Sequence, residues 1–475
     1  MNFIKKSILA FNVSLFSLVF GQGNSYSKYS TPDIANEIIA TPPAKEAVDA
    51  AIDRLMNQPI VRNANWGFVV YDPKTKKIIS SYNENEPLVP ASTTKLLSTN
   101  AAIEIMGPQF RYNTQLEYSG TLKDGVVDGN LYLVGSGDPT IGTGLGGASR
   151  YTPIITDYIN AMKNMGITKV TGNIYVQTAV FKENKHLLPE HIVWLEHNNY
   201  YLPVGRTEGI NPKNERQVVR QKNPFNEEKR FFYISPYTHK MVYTDTFLGN
   251  SISGKVPDAP YYLANTLRAS LLKNGISILG TVQGKSMDVN PENRVIITTY
   301  KSPKLEDIIY FTNQRSYNKF AEALLRTAGF YKNGDESLET GRSTIVQLLK
   351  DKGYDFTGLN LADGSGLSRS NVVTPISQVK FLAGVMKEDY FPIYFNSLPI
   401  AGQSGTLKSM FINNDGYGQI FAKTGTLRGV KCLAGYIKTK SGKTLTFSLL
   451  FNNYRGSVSQ IKAKMEELLL PTLDL

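Results

Sequence analysis

The sequence predicts an α/β protein in which helices flank one antiparallel sheet of about five strands. Two strand-like runs near the N-terminus, residues 66–71 and 77–82, are joined by the turn signal Asp72-Pro73 and predict a hairpin. Three more strand-like runs follow one another near the C-terminus, at 419–424, 432–438 and 444–452. The region between these ends consists of short strands and turns. The predicted sheet is therefore assembled from both ends of the chain, with large mainly-β domains inserted between them.

The change to short strands and turns in the middle of the chain also predicts the domain boundaries. Residues 40–106 and 300–475 are predicted to form one domain that includes a helical subdomain, interrupted by an inserted domain at 107–299. Within the insertion, residues from about 187 to 256 are polar, rich in Tyr and Asn, and show little periodicity. We interpret this stretch as a smaller lobe nested in the first insertion.

Apolar periodicity predicts the helices in order along the chain. Residues 43–56 place Val48, Ile52 and Leu55 on one face of a helix, and a second helix is expected from about Ser92. Ser302-Pro303 is typical of a helix start, because proline is tolerated at the first helical position. Further helices are predicted at 158–165, 259–273, 320–328, 341–352, 376–387 and 459–470, and inserted strands at 114–118, 129–134, 172–176 and 278–282.

The first 22 residues are predicted to be a secretory signal peptide. Lys5 and Lys6 precede an apolar run at 8–20, and the small residue Gly21 follows it. A retained membrane anchor is the less favoured interpretation, because the run is shorter than the about 20 residues that span a bilayer. No cysteine stands at the expected cleavage site, so lipid attachment is not expected. We therefore expect a periplasmic protein that is soluble or at most peripheral.

The composition limits which partners and cofactors are expected. A formal net charge of +12 suits an anionic polymer, such as cell-wall material, or a membrane surface. Nucleic acid is disfavoured by export and by the lack of one long basic run. The single cysteine, Cys432, excludes an intramolecular disulfide and is expected to be a buried strand residue. His186, His191 and His197 match no common zinc pattern, so neither a metal nor a cofactor is predicted.

Ser92 and Lys95 form the first candidate for catalytic chemistry. Three residues apart at a helix start, they share one face, where the amine can take the hydroxyl proton. Backbone N–H groups of the first helical turn can stabilise an oxyanion there. The pattern alone is weak, because Ser-x-x-Lys recurs at 25–28, 316–319, 377–380 and 459–462.

Two further short motifs follow in a particular order. Ser316-Tyr317-Asn318 precedes an apolar helix, and Lys423-Thr424-Gly425 lies on a strand near the C-terminus. Each residue also has a purely structural interpretation: a helix cap for Ser316, a turn residue for Asn318 and a solvated strand lysine for Lys423. The order of nucleophile helix, polar loop and Lys-Thr-Gly strand favours the catalytic interpretation, because this trio is known from β-lactamases and penicillin-binding proteins.

The chain resembles the class C low-molecular-mass penicillin-binding proteins, D-alanyl-D-alanine carboxypeptidases/endopeptidases of the peptidase S13 type. The resemblance covers nearly the whole mature chain and rests on the three motifs and on the long insertion between Ser92 and Ser316. It implies a serine β-lactamase/transpeptidase-like catalytic domain. Supporting segments lie at 135–140, 363–369 and 402–407.

The resemblance implies catalytic roles for the motif residues. Ser92 would attack the carbonyl between two D-alanines and form an acyl-enzyme. Lys95, kept neutral by burial and by the cation Lys423, would be its base. Ser316 would relay a proton to the leaving amine. Asn318 would hydrogen-bond the substrate amide and hold Lys95 in place.

The resemblance also implies how substrate and inhibitor bind. Lys423 would supply positive potential, and the hydroxyls of Thr424 and Thr426 would bind the terminal carboxylate. The backbone N–H groups of Ser92 and Thr426 would form the oxyanion hole. Penicillin would acylate Ser92, because its ring amide resembles the D-alanyl-D-alanine dipeptide.

A weaker resemblance concerns the stem peptide's diamino acid. Glu196 stands where the family often has Asp, and Arg369 matches an arginine that would pair with a carboxylate of that side chain. Arg428 stands where relatives can carry a neutral polar residue. An acid and an arginine together suit a zwitterionic side chain such as meso-diaminopimelate. A surface salt bridge beside core aromatics is the alternative.

The main hypothesis is an exported serine D,D-peptidase that cleaves D-Ala-D-Ala ends or D-alanyl crosslinks of peptidoglycan stem peptides. A β-lactamase is one alternative, although the large insertion has no use in clearing a small drug. A β-lactam-sensing or wall-binding protein with slow turnover is another. The lifetime of the acyl-enzyme discriminates among them.

Overall fold

The computed structural model describes residues 43–177, 192–195, 200–203, 218–222, 229–234, 241–243, 259–285 and 292–475. The predicted signal peptide and most of the predicted nested lobe lie outside these residues. The helices within the described ranges are α1 (Ala44–Met56), α2 (Lys95–Met106), α3 (Tyr151–Asn164), α4 (Ala259–Lys273), α5 (Leu305–Arg315), α6 (Asn318–Asn333), α7 (Leu338–Asp351), α8 (Pro375–Val385), α9 (Phe391–Asn396) and α10 (Val458–Leu469).

The strands within the same ranges are β1 (Asn65–Asp72), β2 (Lys77–Tyr82), β3 (Asn113–Ser119), β4 (Thr121–Lys123), β5 (Val126–Asp128), β6 (Leu131–Gly135), β7 (Lys169–Val170), β8 (Ile174–Gln177), β9 (Ile192–Leu195), β10 (Tyr200–Pro203), β11 (Val218–Lys222), β12 (Lys229–Ile234), β13 (Met241–Tyr243), β14 (Ser277–Ile278), β15 (Val282–Lys285), β16 (Arg294–Lys301), β17 (Ile420–Leu427), β18 (Val430–Lys438) and β19 (Thr444–Asn452).

The central sheet joins the two ends of the chain. Its five strands lie in the order β17, β18, β19, β1, β2, and every neighbouring pair is antiparallel. Phe68 of β1 pairs with Leu449 of β19, which pairs in turn with Leu433 of β18. The sheet therefore has the strand number and direction that the sequence predicts. β17 lies at one edge of it, where the candidate catalytic residues gather.

Helices cover both faces of the central sheet. On one face, Val48 of α1 and Met465 of α10 pack in a buried cluster with Phe447 of β19. On the other, Val379 of α8 packs against Val69 of β1. Complete burial of one Val, Met or Phe side chain contributes about 1.5–3 kcal/mol to the stability of the fold. Because both faces are covered, the last three strands are buried along most of their length.

α2 lies inside a layer of helices. Every residue from Lys95 to Ile103 is buried. Ala102 packs in one cluster with Ile308 of α5 and Leu324 of α6. A helix buried all round has little room to shift, so the turn that precedes it is held firmly in place.

The inserted region contains two mixed sheets, with strand orders β15, β8, β6, β3, β16 and β14, β7, β5, β4. α3 and α4 pack against them, and Tyr158 and Leu267 share one buried cluster with Leu131. The prediction of a single strand at 278–282 is wrong, because this stretch is divided between β14 and β15, which belong to different sheets. The chain changes sheets at Gly280, where an added Cβ would lie 2.3 Å from the carbonyl oxygen of Gly172. β16 is not among the predicted strands.

Two helix starts differ from the prediction. The helix expected from Pro303, with Ser302 before it, begins at Leu305. Ser302 is paired with Tyr112 instead: its N–H donates to the Tyr112 carbonyl, and its hydroxyl accepts the Tyr112 N–H. α3 begins well before the predicted residue 158. Its first turn contains Pro153, which breaks the apolar pattern but is tolerated at that position.

Two smaller expectations concern Cys432 and the membrane. Cys432 is buried on β18, as its apolar surroundings predict. Among the helices of the described ranges, none is long and apolar enough to cross a bilayer. The domain boundaries at 107 and 299 stay predictions.

Candidate active site

Ser92 lies at the start of the buried helix α2. A single 3-10 turn, Ala91–Thr94, carries it, and the α-helix continues from Lys95. Residues three apart are eclipsed in a 3-10 turn, so the side chains of Ser92 and Lys95 stand on the same face. The prediction of an α-helix from Ser92 is corrected only in its first turn. Ser92 itself is half-buried, which leaves its hydroxyl open to a substrate.

The backbone just before Ser92 is strained and clamped. Ala91 has φ +46°, a left-handed conformation that costs a non-glycine residue about 1–3 kcal/mol. The Thr94 hydroxyl donates to the Ala91 carbonyl at 2.8 Å. From the other side Gly366 presses on the same carbonyl, and an added Cβ at Gly366 would lie 1.9 Å from its oxygen. These contacts hold the conformation that presents Ser92.

The Lys95 amine joins Ser92 to the second motif. Its Nζ lies 3.0 Å from Ser92 Oγ and donates to Asn318 Oδ1 at 2.7 Å and to the Ser365 carbonyl at 2.5 Å. The Lys95 side chain is 0% exposed. Two of these partners are acceptors only, so a neutral amine can keep both bonds and turn its lone pair toward the Ser92 hydroxyl.

Burial explains why this lysine can act as a base near neutral pH. Removal from water lowers the pKa of Lys95 to about 7, although the carboxylates of Glu322 and Asp363 oppose part of the shift. Glu322 is held in place because it accepts the backbone N–H groups of Gly364 at 3.1 Å and Ser365 at 2.9 Å. A large fraction of Lys95 is therefore unprotonated at neutral pH.

A change of charge at Glu322 should move the pH dependence of acylation. In the wild type, acylation of Ser92 by penicillin should slow as the pH falls below about 7, because Lys95 becomes protonated. Glu322→Gln removes a charge that raises the pKa of Lys95, so the acid limb should move to lower pH. Stopped-flow acylation rates between pH 5 and 9 measure it. An unchanged limb, or one moved to higher pH, would contradict this electrostatic role.

Ser316 and Asn318 stand at the junction of two helices. Ser316 ends α5 in a left-handed conformation with φ +59°, and Asn318 is the first residue of α6. The Ser316 hydroxyl accepts a hydrogen bond from Lys423 Nζ at 2.9 Å, while Asn318 holds Lys95. Ser316 is therefore both a helix cap and a part of the cluster, so the two interpretations of the sequence are compatible.

The third motif lies along the edge strand β17. Lys423 is fully buried, and its Nζ also donates to the Thr424 carbonyl at 2.9 Å. Burial, followed by the charges of Lys95 and Lys431, lowers the pKa of Lys423 well below its usual value. The Thr424 hydroxyl donates to Thr406 Oγ1 at 2.7 Å. These contacts exclude a solvated strand lysine at 423.

β17 packs directly on the turn that carries Ser92. An added Cβ at Gly425 would lie 2.5 Å from the Pro90 carbonyl oxygen, so only glycine allows this approach. The strand thereby places Thr426 beside the Ser92 turn. The site combines a half-buried serine with a buried amine of lowered pKa, the nucleophile and base needed for acyl transfer to serine.

A family model supports the same chemistry. The model described as the D-Ala-D-Ala carboxypeptidase 3 (S13) family matches residues 48–239 and 243–470. The chain belongs to this family. The predicted family and the predicted enzyme class, a serine-type D-Ala-D-Ala carboxypeptidase, are thereby confirmed.

Individual relatives of the S13 family match along most of their length. D-alanyl-D-alanine carboxypeptidase DacB of Haemophilus influenzae is 25% identical over 446 residues, which cover 86% of this chain and 90% of that protein. D-alanyl-D-alanine carboxypeptidase of an Actinomadura species is 26% identical over 463 residues, covering 85% and 81%. The crystal structure of penicillin binding protein 4 (dacB) from Haemophilus influenzae aligns with a TM-score of 0.71 at 23% identity, covering 89% of this chain and 99% of that one. This likeness confirms the predicted fold class.

Of the two residues predicted to bind the diamino acid of the stem peptide, the structure describes only Arg369. Arg369 is on the loop after Gly366, and its guanidinium donates to the carbonyl of Arg428 at the turn after β17. Glu196, expected to bind the same diamino acid, lies outside the described residues. His186, His191 and His197 also lie outside them. In the part of the chain that the structure describes, no group of His, Cys, Asp or Glu could hold a metal ion.

The structure adds residues to the site that the motifs do not contain. Ser365 and Thr406 belong to segments noted for their resemblance to the family, but the sequence assigns them no contact. Glu322 and Lys431 are charged residues within apolar runs, and that interruption is the signal that could have revealed them. The added residues are Glu322, Asp363, Ser365, Thr406 and Lys431.

Proposed function

We propose that this protein is an exported serine D,D-peptidase that uses Ser92 as its nucleophile. Its substrates would be peptidoglycan stem peptides, cleaved at the D-Ala-D-Ala end as a carboxypeptidase, at D-alanyl crosslinks as an endopeptidase, or at both. The observation that carries the assignment of Ser92 is its contact with Lys95, a buried amine whose pKa is lowered to about 7. A lysine in water would be almost wholly protonated at neutral pH and would be a poor base.

The proposed acylation step uses the contacts of Ser92, Lys95 and Ser316. Neutral Lys95 takes the hydroxyl proton as Ser92 Oγ attacks the carbonyl carbon of the scissile bond. The backbone N–H groups of Ser92 and Thr426 donate to the developing oxyanion. Ser316, bonded to Lys423, would relay this proton: it gives its own hydroxyl proton to the leaving amine, regains one from protonated Lys95, and the terminal D-alanine departs. The products are an ester on Ser92 and a free amino acid, and water then hydrolyses the ester.

Substrate binding uses the edge of β17. The Thr424 and Thr426 hydroxyls would bind the terminal carboxylate, Lys423 would supply positive potential, and Asn318 would bind the substrate amide. An incoming carboxylate favours the protonated form of Lys423, which burial otherwise disfavours. Arg369 and Glu196 stay candidates for the side chain of the diamino acid.

β-Lactams should bind the same site covalently. One structure of penicillin binding protein 4 from Haemophilus influenzae is a complex with a β-lactam, and it aligns with a TM-score of 0.66. We infer that penicillin acylates Ser92 here. We further infer a periplasmic location, where the net charge of +12 suits association with the wall or a membrane surface.

Intact-mass spectrometry after mixing with benzylpenicillin tests the nucleophile. One stable adduct is expected on the wild type and none on Ser92→Ala. D-Alanine release from a stem pentapeptide should occur with the wild type alone. An adduct without D-alanine release favours a β-lactam sensor or a strict endopeptidase, and an adduct lost within seconds favours a β-lactamase. An adduct that survives in Ser92→Ala would refute the assignment of Ser92.

A further inference from the structure

Lys431 is a buried lysine beside the candidate carboxylate site, and the mechanism above does not use it. It lies on β18, directly opposite Thr426 of β17 in the antiparallel register. Its Nζ donates to Thr426 Oγ1 at 2.7 Å, and the residue is 4% exposed. Residues directly opposite one another across two strands project from the same face, so this pairing is built into the sheet.

The charge of Lys431 has no protein counter-ion among the described residues. No carboxylate of these residues forms an ion pair with it, and its charged neighbours include the lysines Lys462 and Lys423. Burial, followed by Lys462, lowers the pKa of Lys431 to about 8. A buried ammonium group without an anion destabilises the fold, so a site of this kind favours an anion from outside the protein.

The contact with Thr426 also determines what that hydroxyl can do. Its oxygen already accepts a hydrogen bond from Lys431, so its own hydrogen is available for another acceptor. Thr424 lies two residues earlier and therefore projects from the same face of β17. A donor hydroxyl polarised by an ammonium group is suited to a carboxylate, because hydrogen bonds in such a chain strengthen one another.

We propose that Lys431 is a positioning residue for the terminal carboxylate of the substrate, acting through Thr426. It directs the Thr426 hydroxyl outward as a donor and supplies positive charge behind it. The proposal rests on the proposed function, in which Thr426 faces that carboxylate. If Lys431 has this role, the enzyme requires a free carboxylate on the leaving group of a peptide or a β-lactam. Lys431 contributes to that requirement.

A pair of thioester substrates tests this role. Both carry the same acyl-D-alanyl group; one leaving thiol has a free carboxylate and the other its methyl ester, and thiol release is followed by absorbance. For Lys431→Met we expect kcat/KM to fall by about 10- to 100-fold on the carboxylate substrate, as for loss of a hydrogen bond to a charged group. On the methyl ester the change should be less than about 3-fold.

The preference for the carboxylate substrate should also depend on pH. In the wild type it should decline as the pH rises through about 8, since Lys431 then loses its charge. In Lys431→Met this decline should be weaker. Lys438→Met, on the exposed end of the same strand, is the matched control and should behave as the wild type.

Each outcome decides the proposal. Equal losses on both thioesters for a folded Lys431→Met would overturn it, and so would no loss on either. Lys431→Gln keeps a donor for Thr426 without the charge, so an intermediate loss is expected; it replaces Lys431→Met if thermal melting shows that variant unfolded. If the wild type cleaves neither thioester and forms no penicillin adduct, the proposed function fails first.

Discussion

Lys95→Met is expected to slow acylation of Ser92 by penicillin by about 10³- to 10⁴-fold, the upper part of the range for loss of a general base. Methionine is similar in length and fills the buried space, but it cannot accept the Ser92 proton. It also leaves Asn318 Oδ1 without its hydrogen bond from the amine. The second-order rate constant from time-resolved intact mass measures the effect.

A second Ser-x-x-Lys pair provides the control for that experiment. Ser377 and Lys380 have the same spacing on α8, but the Lys380 side chain is exposed and forms an ion pair with Asp355 at 2.8 Å. Lys380→Met should leave the acylation rate unchanged and cost at most about 1 kcal/mol of stability, as for other surface ion pairs. A folded Lys95→Met that acylates at near the wild-type rate would exclude Lys95 as the base.

Gly366→Ala is expected to impair both stability and acylation. Gly366 has φ +81°, and the added Cβ would meet the Ala91 carbonyl, so the turn that carries Ser92 must move. Strain and clash together should cost about 2–4 kcal/mol. A displacement of the nucleophile of about 1 Å can slow its reaction by about 100-fold. Thermal melting and penicillin acylation measure the two effects.

Gly442→Ala separates backbone strain from the clash. Gly442 has φ +82°, and nothing lies within 4 Å of its added Cβ. This variant should lose only about 1 kcal/mol of stability, the cost of placing alanine in the left-handed conformation. It should keep the wild-type acylation rate. If both variants lose stability equally and acylate normally, the contact of Gly366 with Ala91 does not hold the nucleophile turn.

The sequence predicted helices and strands most accurately where the hydrophobic periodicity and the residues at the ends of an element agreed. α4 has the predicted bounds and β19 matches its predicted range, because long apolar patterns with clear ends define them. The prediction was wrong at 278–282, where one apolar run crosses between two sheets at Gly280. Gly280 interrupts the run, but the sequence does not show that its backbone approaches distant Gly172 at this point.

The site shows the same division between local and distant information. The motifs predicted that Ser92, Lys95, Ser316 and Lys423 act together, and the structure places their side chains in hydrogen-bonded contact as two pairs. They contain no sign of the Ser365 carbonyl or of Glu322. These groups reach Lys95 only because α6 and the loop at 363–369 pack against α2.

The sequence by itself determined the family, the α/β fold class and the order of the three motifs, because these depend on residue type, spacing and periodicity along the chain. Only the tertiary structure decided how basic Lys95 is and that Lys431 lies against Thr426. A pKa depends on the burial of the amine and on charges brought to it by distant segments. The contact between Lys431 and Thr426 depends on the register of two strands, which packing of the whole sheet sets.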